Sequence, residues 1–371
     1  MHADRDSVAS EPLSLSGQQA VPSAARGAQP RLRESRIWGV TSFFDPGGSG
    51  QAAENFRIFS ARIRAQGLPL LTVELAVGAR PFTLDPQMSD QHIRRRTDDL
   101  LWHKESLLNI GIDALPETCD QVVWLDADVL FDRPGWVAQT SAALRDYPVV
   151  QPFSEAIWLA EGAQDPPANP RRGHGEGAVM PGMAATMAHA PNRRSLLQDY
   201  FRHGHPGFAW AARRDLLARH RLYDRHVMGG GDVTLAHAFY GDRDYWRGMN
   251  MASRDMSAPE RAAMARWSGA LHADVKGNIG HVDGRILHLW HGPLAQRGYT
   301  ERWRILKSHD FDPERDVTLG RDGCLCWAPG REDLQAAVRA YFAARTASAQ
   351  TGPNIAAPQQ TGADRCPATA P

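Results

Sequence analysis

No stretch of this chain approaches the roughly 18 consecutive apolar residues that a membrane-crossing helix needs. The first 35 residues also lack the apolar core of a signal peptide. No transmembrane segment is expected, and the expected location is cytoplasmic. Net charge is absent as well, with 42 Lys and Arg against 42 Asp and Glu. A protein that neutralises nucleic-acid phosphate or lies on an anionic membrane carries a basic excess, so nucleic acid is not an expected partner. Cysteine is scarce: four in 371 residues make no disulfide framework. Cys119, Cys324, Cys326 and Cys366 are expected as thiols, and the C-x-C pair Cys324/Cys326 is a weak zinc signal without a second pair nearby. What is present fits a soluble globular protein, with 42% hydrophobic and 23% charged residues. Tryptophan is abundant, at 11 residues. A buried indole N–H needs a partner, so the count favours a binding cleft.

Residues 1–35 and 346–371 carry no periodic apolar pattern and read as disordered tails. Between them, strand and helix patterns alternate. Ile37 to Thr41 is a short apolar strand ending in the turn Asp45-Pro46-Gly47-Gly48, and Ala52, Phe56, Phe59 and Ile63 share one helix face. Leu70 to Val77 is a second strand. Asp98 and Asp99 begin a helix that turns Leu101, Leu108 and Ile112 inward. Val122 to Leu125 is apolar on both faces, as in the centre of a parallel sheet. The pattern predicts an α/β fold, an open, mostly parallel twisted sheet with helices on both faces. Ligands in such sheets sit beyond the carboxyl ends of the strands, here residues 42–48 and 126–132. Residues 161–195, dense in Gly, Pro and Ala, read as a flexible loop or lid that tolerates deletion of 165–180. A strand at 208–211, a short helix at 213–220 and a helix from Asp232 to about Tyr240 follow. Asp283-Gly284 between two alternating runs predicts a late β-hairpin. Helices around 299–309 and 331–345 close the folded body, the second in a C-terminal helical extension over 311–345.

The sharpest chemical feature is Val122-Val123-Trp124-Leu125-Asp126-Ala127-Asp128-Val129-Leu130. Two carboxylates leave a buried strand end with one small residue between them. Like charges so close are costly unless a cation holds them. Hard divalent ions such as Mg²⁺ or Mn²⁺ take oxygen ligands and are completed by substrate phosphates. Two enzyme classes share the D-x-D pattern: glycosyltransferases that use nucleotide sugars, and haloacid-dehalogenase-like phosphatases with Asp126 as nucleophile and Asp128 as acid/base. Position favours the first. The phosphatase motif opens its fold, whereas two strand–helix units precede Asp126 here. Near the end, His288-Leu289-Trp290-His291 could complete a metal shell; alternation favours His288, with His291 close behind. Gly229-Gly230-Gly231-Asp232 allows close backbone approach to a ligand. Asp232 itself reads equally as a helix N-cap or as a catalytic carboxylate. Lys104 reads as a solvated mid-helix lysine.

A family resemblance runs through these residues. Trp102-His103-Lys104-Glu105-Ser106-Leu107-Leu108-Asn109-Ile110-Gly111 resembles the helix upstream of D-x-D in β-1,4-galactosyltransferase-like enzymes. Residues 205–215 resemble their Gly-aromatic strand and short helix, and Tyr223-Asp224 with Gly229 to Asp232 resembles the segment that closes their site. The family's Gly-Glu-Asp-Asp is Gly-Gly-Asp-Val here. The resemblance covers roughly 37–310 and implies a GT-A fold over 36–310. It implies an inverting, metal-dependent glycosyltransferase that moves a sugar from a nucleotide diphosphate, with a UDP-sugar expected, to a carbohydrate or other hydroxyl acceptor. Asp232 would be the general base. Asp126 and Asp128, with His288 or His291, would hold Mn²⁺ or Mg²⁺. Lys104 would face the donor phosphates, Phe43 or Phe44 would stack on the base, and Gly230, Gly231, Trp210 and Trp290 would line the donor and sugar sites. The phosphatase and a non-catalytic nucleotide-sugar-binding module are the alternatives.

Overall fold

Val122, Val123, Trp124 and Leu125 are all buried, and their strand β4 (Gln121–Leu125) is the middle one of a seven-stranded sheet. The structure is a computed structural model that describes residues 36–45, 50–199, 202–242, 256–292 and 301–350. β4 runs parallel to β1 (Ile37–Phe43), which runs parallel to β2 (Leu70–Val77), which runs parallel to β3 (Gln91–Thr97). On its other side lie β10 (Ala209–Arg213), antiparallel, then β6 (Val149–Gln151) and β11 (Ile279–His281). The chain leaves β1 towards β2 and β3, then returns to place β4 on the opposite flank. The crevice at that reversal, beyond the carboxyl ends of β1 and β4, is where open α/β sheets bind ligands.

Helix Gln51–Ala65 covers one face with Phe56, Phe59 and Ile63, all fully buried. Each contributes about 1.5–3 kcal/mol by leaving water. β3 is polar and had no counterpart in the sequence reading. It is the sheet's edge, where Arg94, Arg95 and Arg96 discourage further pairing. The helix expected from Asp98 begins only at Lys104 and runs to Asp113. Leu101 is buried ahead of it, in a separate cluster with Tyr223, Val227 and Trp303.

A second, five-stranded sheet has the order β5 (Val129–Phe131), β12 (Arg285–His288), β7 (Glu155–Trp158), β9 (Ala178–Pro181) and β8 (Arg171–Arg172). The hairpin expected at Asp283-Gly284 is not there. β11 pairs with β6 in the first sheet and β12 with β5 and β7 in the second, so the turn carries the chain between sheets. The late antiparallel hairpin is instead β13 (Val317–Leu319) with β14 (Leu325–Trp327), inside the segment read as purely helical. The last helix spans Glu332–Gln350 and so reaches into the expected C-terminal tail. The rest of that tail, residues 1–35 and the turn glycines Gly47 and Gly48 lie outside the described residues. Among the described residues no helix is long and apolar enough to cross a membrane. Cys119, Cys324 and Cys326 are thiols; Cys366 lies outside the described residues.

The segment 161–195, read as a flexible loop or lid, is instead built of short elements. It supplies β8 and β9 and the helices Met183–Ala188 and Arg193–Leu197, and it buries Ala178, Met180, Met183 and Met187. Its Gly and Pro content hid short strands, of which β8 pairs with β9 and β9 with β7. Deleting residues 165–180, which removes β8 and most of β9, is therefore expected to lower the melting temperature sharply or abolish cooperative unfolding. An unchanged thermal melt would contradict this packing.

Candidate active site

β4 ends at Leu125, and Asp126-Ala127-Asp128 carries the chain from the first sheet into β5 of the second. The register of β5 with β12 sets His288 opposite Val129, and the Leu289 N–H donates to the Asp128 carbonyl at 2.8 Å. Asp128 Oδ2 thereby comes within 3.6 Å of His288 Nε2 and 3.3 Å of His291 Nε2, while the two Nε2 atoms are 3.2 Å apart. Ligand atoms of the three residues lie within 4.8 Å of one another, the only such group found among the described residues. One carboxylate oxygen and two imidazole nitrogens suit a first-row divalent ion such as Mn²⁺. Mg²⁺ prefers an all-oxygen shell and fits this set less well. Both histidines belong to the group. Asp126, expected as a further ligand, does not.

Asp126 faces Lys104 instead. The Lys104 Nζ donates to Asp126 Oδ1 at 2.5 Å and to Asp232 Oδ1 at 2.8 Å. Lys104 is not a mid-helix residue but the first of the helix Lys104–Asp113, so its side chain points over the carboxyl end of β4. Asp232 is not an N-cap. The helix Gly231–Phe239 is preceded by Gly230 at a φ of 108°, and Asp232 lies in its first turn, where a negative charge suits the helix dipole. Its carboxylate is therefore available to the site.

The glycines of this turn meet protein rather than a ligand. A Cβ at Gly231 would collide with the Glu105 carboxyl group, and one at Gly230 would stand 2.8 Å from the Trp303 ring. Trp210 is 1% exposed and donates its indole N–H to the Pro206 carbonyl at 2.7 Å. Phe43 is buried against Phe56, with ring centroids 5.5 Å apart. Both belong to the core, and neither offers a face to a ligand. Phe44 is half-buried, edge-on to Trp102 at 5.2 Å, and stays at the mouth of β1. Trp290 is half-buried beside His288 and His291, and its carbonyl accepts from Asn55 Nδ2 at 3.0 Å.

Three residues of the site were missed in the sequence. Phe208 and His205 stack in line with His288; both fall in the 205–215 stretch of the family resemblance, which gave neither a role. Glu105 left a signal: it is three residues before Leu108 and seven before Ile112, so it falls on the apolar stripe of its helix. It is buried beside Lys104.

Glu105, Asp126 and Asp232 thus gather around one ammonium. Burial works against the Lys104 charge, but Asp126, Asp232 and Glu105 outweigh it and hold the ammonium well above its ordinary range. Burial pushes Asp126 up, and Asp232 and Asp128 add to this against the pull of Lys104. Burial likewise lifts Glu105 to about 8, with repulsion from Asp232 and Asp126 opposing the attraction of Lys104. An excess of buried negative charge is what a divalent cation would relieve.

Glu105 has a consequence for stability. It holds a proton when folded and releases it when unfolded between its ordinary value of 4.5 and about 8. Its share of stability is complete below the lower value and lost as pH rises through the upper one. At about 1.4 kcal/mol per unit of displacement, metal-free protein is expected to lose up to a few kcal/mol between pH 5 and 9. Glu105→Gln is expected to flatten that loss in urea titrations. Parallel pH profiles of wild type and variant would contradict it.

No protein-family model and no curated protein matches this chain. Solved structures do. Glucosyl-3-phosphoglycerate synthase from Mycobacterium tuberculosis, in complex with Mn²⁺, UDP and phosphoglyceric acid, is similar at 15% identity and a TM-score of 0.37, over 76% of this chain and 81% of that one. The catalytic domain of Drosophila β1,4-galactosyltransferase 7, in complex with xylobiose, is similar at 9% identity and a TM-score of 0.34, over 80% of this chain and 96% of that one. S. aureus TarS 1–349 in complex with UDP-GlcNAc is similar at 8% identity and a TM-score of 0.33, over 54% and 52%. At such TM-scores the likeness alone carries neither fold nor chemistry, which rest on the sheets and side chains described above.

Proposed function

We propose that this chain is a metal-dependent glycosyltransferase of GT-A fold. It transfers a sugar from a nucleotide diphosphate, with a UDP-sugar the expected donor, to an acceptor hydroxyl with inversion. One observation carries the reading: Asp128, His288 and His291 form a divalent-ion donor set next to the Lys104–Asp126–Asp232 group, at the crevice where the sheet reverses. Mn²⁺ held there would neutralise the diphosphate as it leaves.

The chain's own residues do the rest. Lys104, with Asp126 as its fixed partner, adds positive charge beside the leaving diphosphate. Phe44, at the end of β1, offers a ring for the nucleobase. Asp232 is the general base: its Oδ1 accepts from Lys104, and its Oδ2 faces Gly207, where a Cβ would come within 3.1 Å. The absent side chain lets the Gly207 backbone pass close to the carboxylate without crowding Oδ2.

Calorimetric titration of UDP with Mn²⁺ and with EDTA, followed by assays of UDP-sugar turnover to water, tests the reading. Metal-dependent UDP binding and release of free sugar are expected. Equal binding in EDTA would remove the metal bridge. A second reading is a non-catalytic nucleotide-sugar-binding module, favoured by the Lys104–Asp232 ion pair, because an engaged carboxylate is a weaker base. UDP binding without turnover of any UDP-sugar would support it. The phosphatase alternative gives the two imidazoles at Asp128 no part in the chemistry.

A further inference from the structure

We propose that Phe208 is a positioning residue that orients His288 for metal binding, and that its backbone strain is retained for this task. The inference rests on the metal reading above. Phe208 has a φ of 75°, and the Ala209 N–H donates to the Gly207 carbonyl at 3.1 Å. Phe208 is thus the centre of a γ-turn with positive φ, a rare and strained conformation. The other non-glycine residues with positive φ among the described residues, Arg221, Lys276 and Asp310, sit just past helix ends, where a left-handed residue is ordinary. Phe208 has no such excuse, and a bulky side chain is ill suited to that region.

The turn throws the Phe208 ring into a slot between two imidazoles. The His205 ring lies 3.9 Å away at an interplanar angle of 22°, and the His288 ring lies 4.8 Å away at 17° on the other face. The Phe208 carbonyl accepts from the Asp126 N–H at 2.8 Å, so the same residue also anchors the start of Asp126-Ala127-Asp128. Phe208 and His288 are 7% and 5% exposed, so packing fixes both rings.

Metal-binding histidines are ordinarily oriented by a hydrogen bond from the ring nitrogen that does not bind the ion. Among the described residues, the hydrogen bonding of the His288 imidazole runs through Nε2, to His291. The stack on Phe208 takes the place of that second-nitrogen contact. It sets the plane of the imidazole so that Nε2 points at Asp128 and His291. A relaxed turn would return the residue to the strand's alternation and withdraw the ring.

The full chain is titrated calorimetrically with Mn²⁺ alone. Phe208→Asn tolerates positive φ and lacks the ring, so it is expected to fold and to bind Mn²⁺ about 10-fold or more weakly than wild type. Phe208→Gly serves the same comparison should Phe208→Asn fail to fold. Phe208→Tyr keeps the ring and is expected to bind Mn²⁺ as wild type does. Phe208→Gly is also expected to melt above Phe208→Ala, because only glycine relieves the turn. Wild-type Mn²⁺ affinity in a folded variant without the ring would overturn the proposal, as would an alanine variant that melts above the glycine variant. A wild type that binds no Mn²⁺ would remove the metal reading and this proposal with it.

Discussion

Asp128→Ala is expected to weaken UDP binding in Mn²⁺ by at least about 100-fold, the upper end of what is lost when even an outer partner of a metal ligand is removed. Asp128 supplies the only carboxylate of the donor set, and two imidazoles alone hold a divalent ion poorly. The metal-free protein should not pay for the change in stability. Removing Asp128 takes one negative charge from a group in which it repels Asp126. Calorimetry with Mn²⁺ and with EDTA, and a thermal melt without metal, separate the two effects. If Asp128→Ala binds UDP as tightly as wild type, Asp128 is no ligand. A metal-free variant that melts well below wild type would instead make Asp128 a structural strut between the sheets.

Asp232→Asn is expected to reduce sugar transfer by about 10²–10⁴-fold, the usual worth of a positioned general base, while donor binding persists. Asparagine keeps the shape and can still accept a hydrogen bond from Lys104 through its carbonyl oxygen, but it cannot take a proton from an acceptor. Asp232 lies in the first turn of its helix, where its charge contributes about 0.3–1 kcal/mol through the helix dipole; its removal also weakens the Lys104 ion pair and relieves the repulsion on Asp126 and Glu105. Comparison of UDP affinity, turnover and melting temperature distinguishes the roles. An unchanged rate with a lowered melting temperature would make Asp232 a helix-dipole partner only.

Much of the frame was legible because it depends on local pattern. Val122 to Leu125 could only be a strand covered on both faces, and Asp126-Ala127-Asp128 had to emerge at its ligand-binding end. Leu70 to Val77 and Phe56, Phe59 and Ile63 followed from simple periodicity. Where the reading failed, the deciding partner was far away. Asp283-Gly284 has the chemistry of a hairpin turn, yet β6 claims one flank and β5 and β7 the other. Trp210 and Phe43 were apolar residues at the right strand ends, but only packing decides that an aromatic ring faces the core rather than a ligand.

The residue types of the site came from the sequence: the paired aspartates, the two late histidines, Lys104 and Asp232. Their pairing did not. The β5–β12 register brings His288 and His291 to Asp128, and the start of a helix at Lys104 gives Asp126 to the lysine. Glu105 and Phe208 entered the site in the same way. Side-chain chemistry is a property of a residue, but a ligand set, a buried ion pair and a ring stack are distances between residues far apart in the chain, such as Asp128 and His288. Only the folded chain sets those distances.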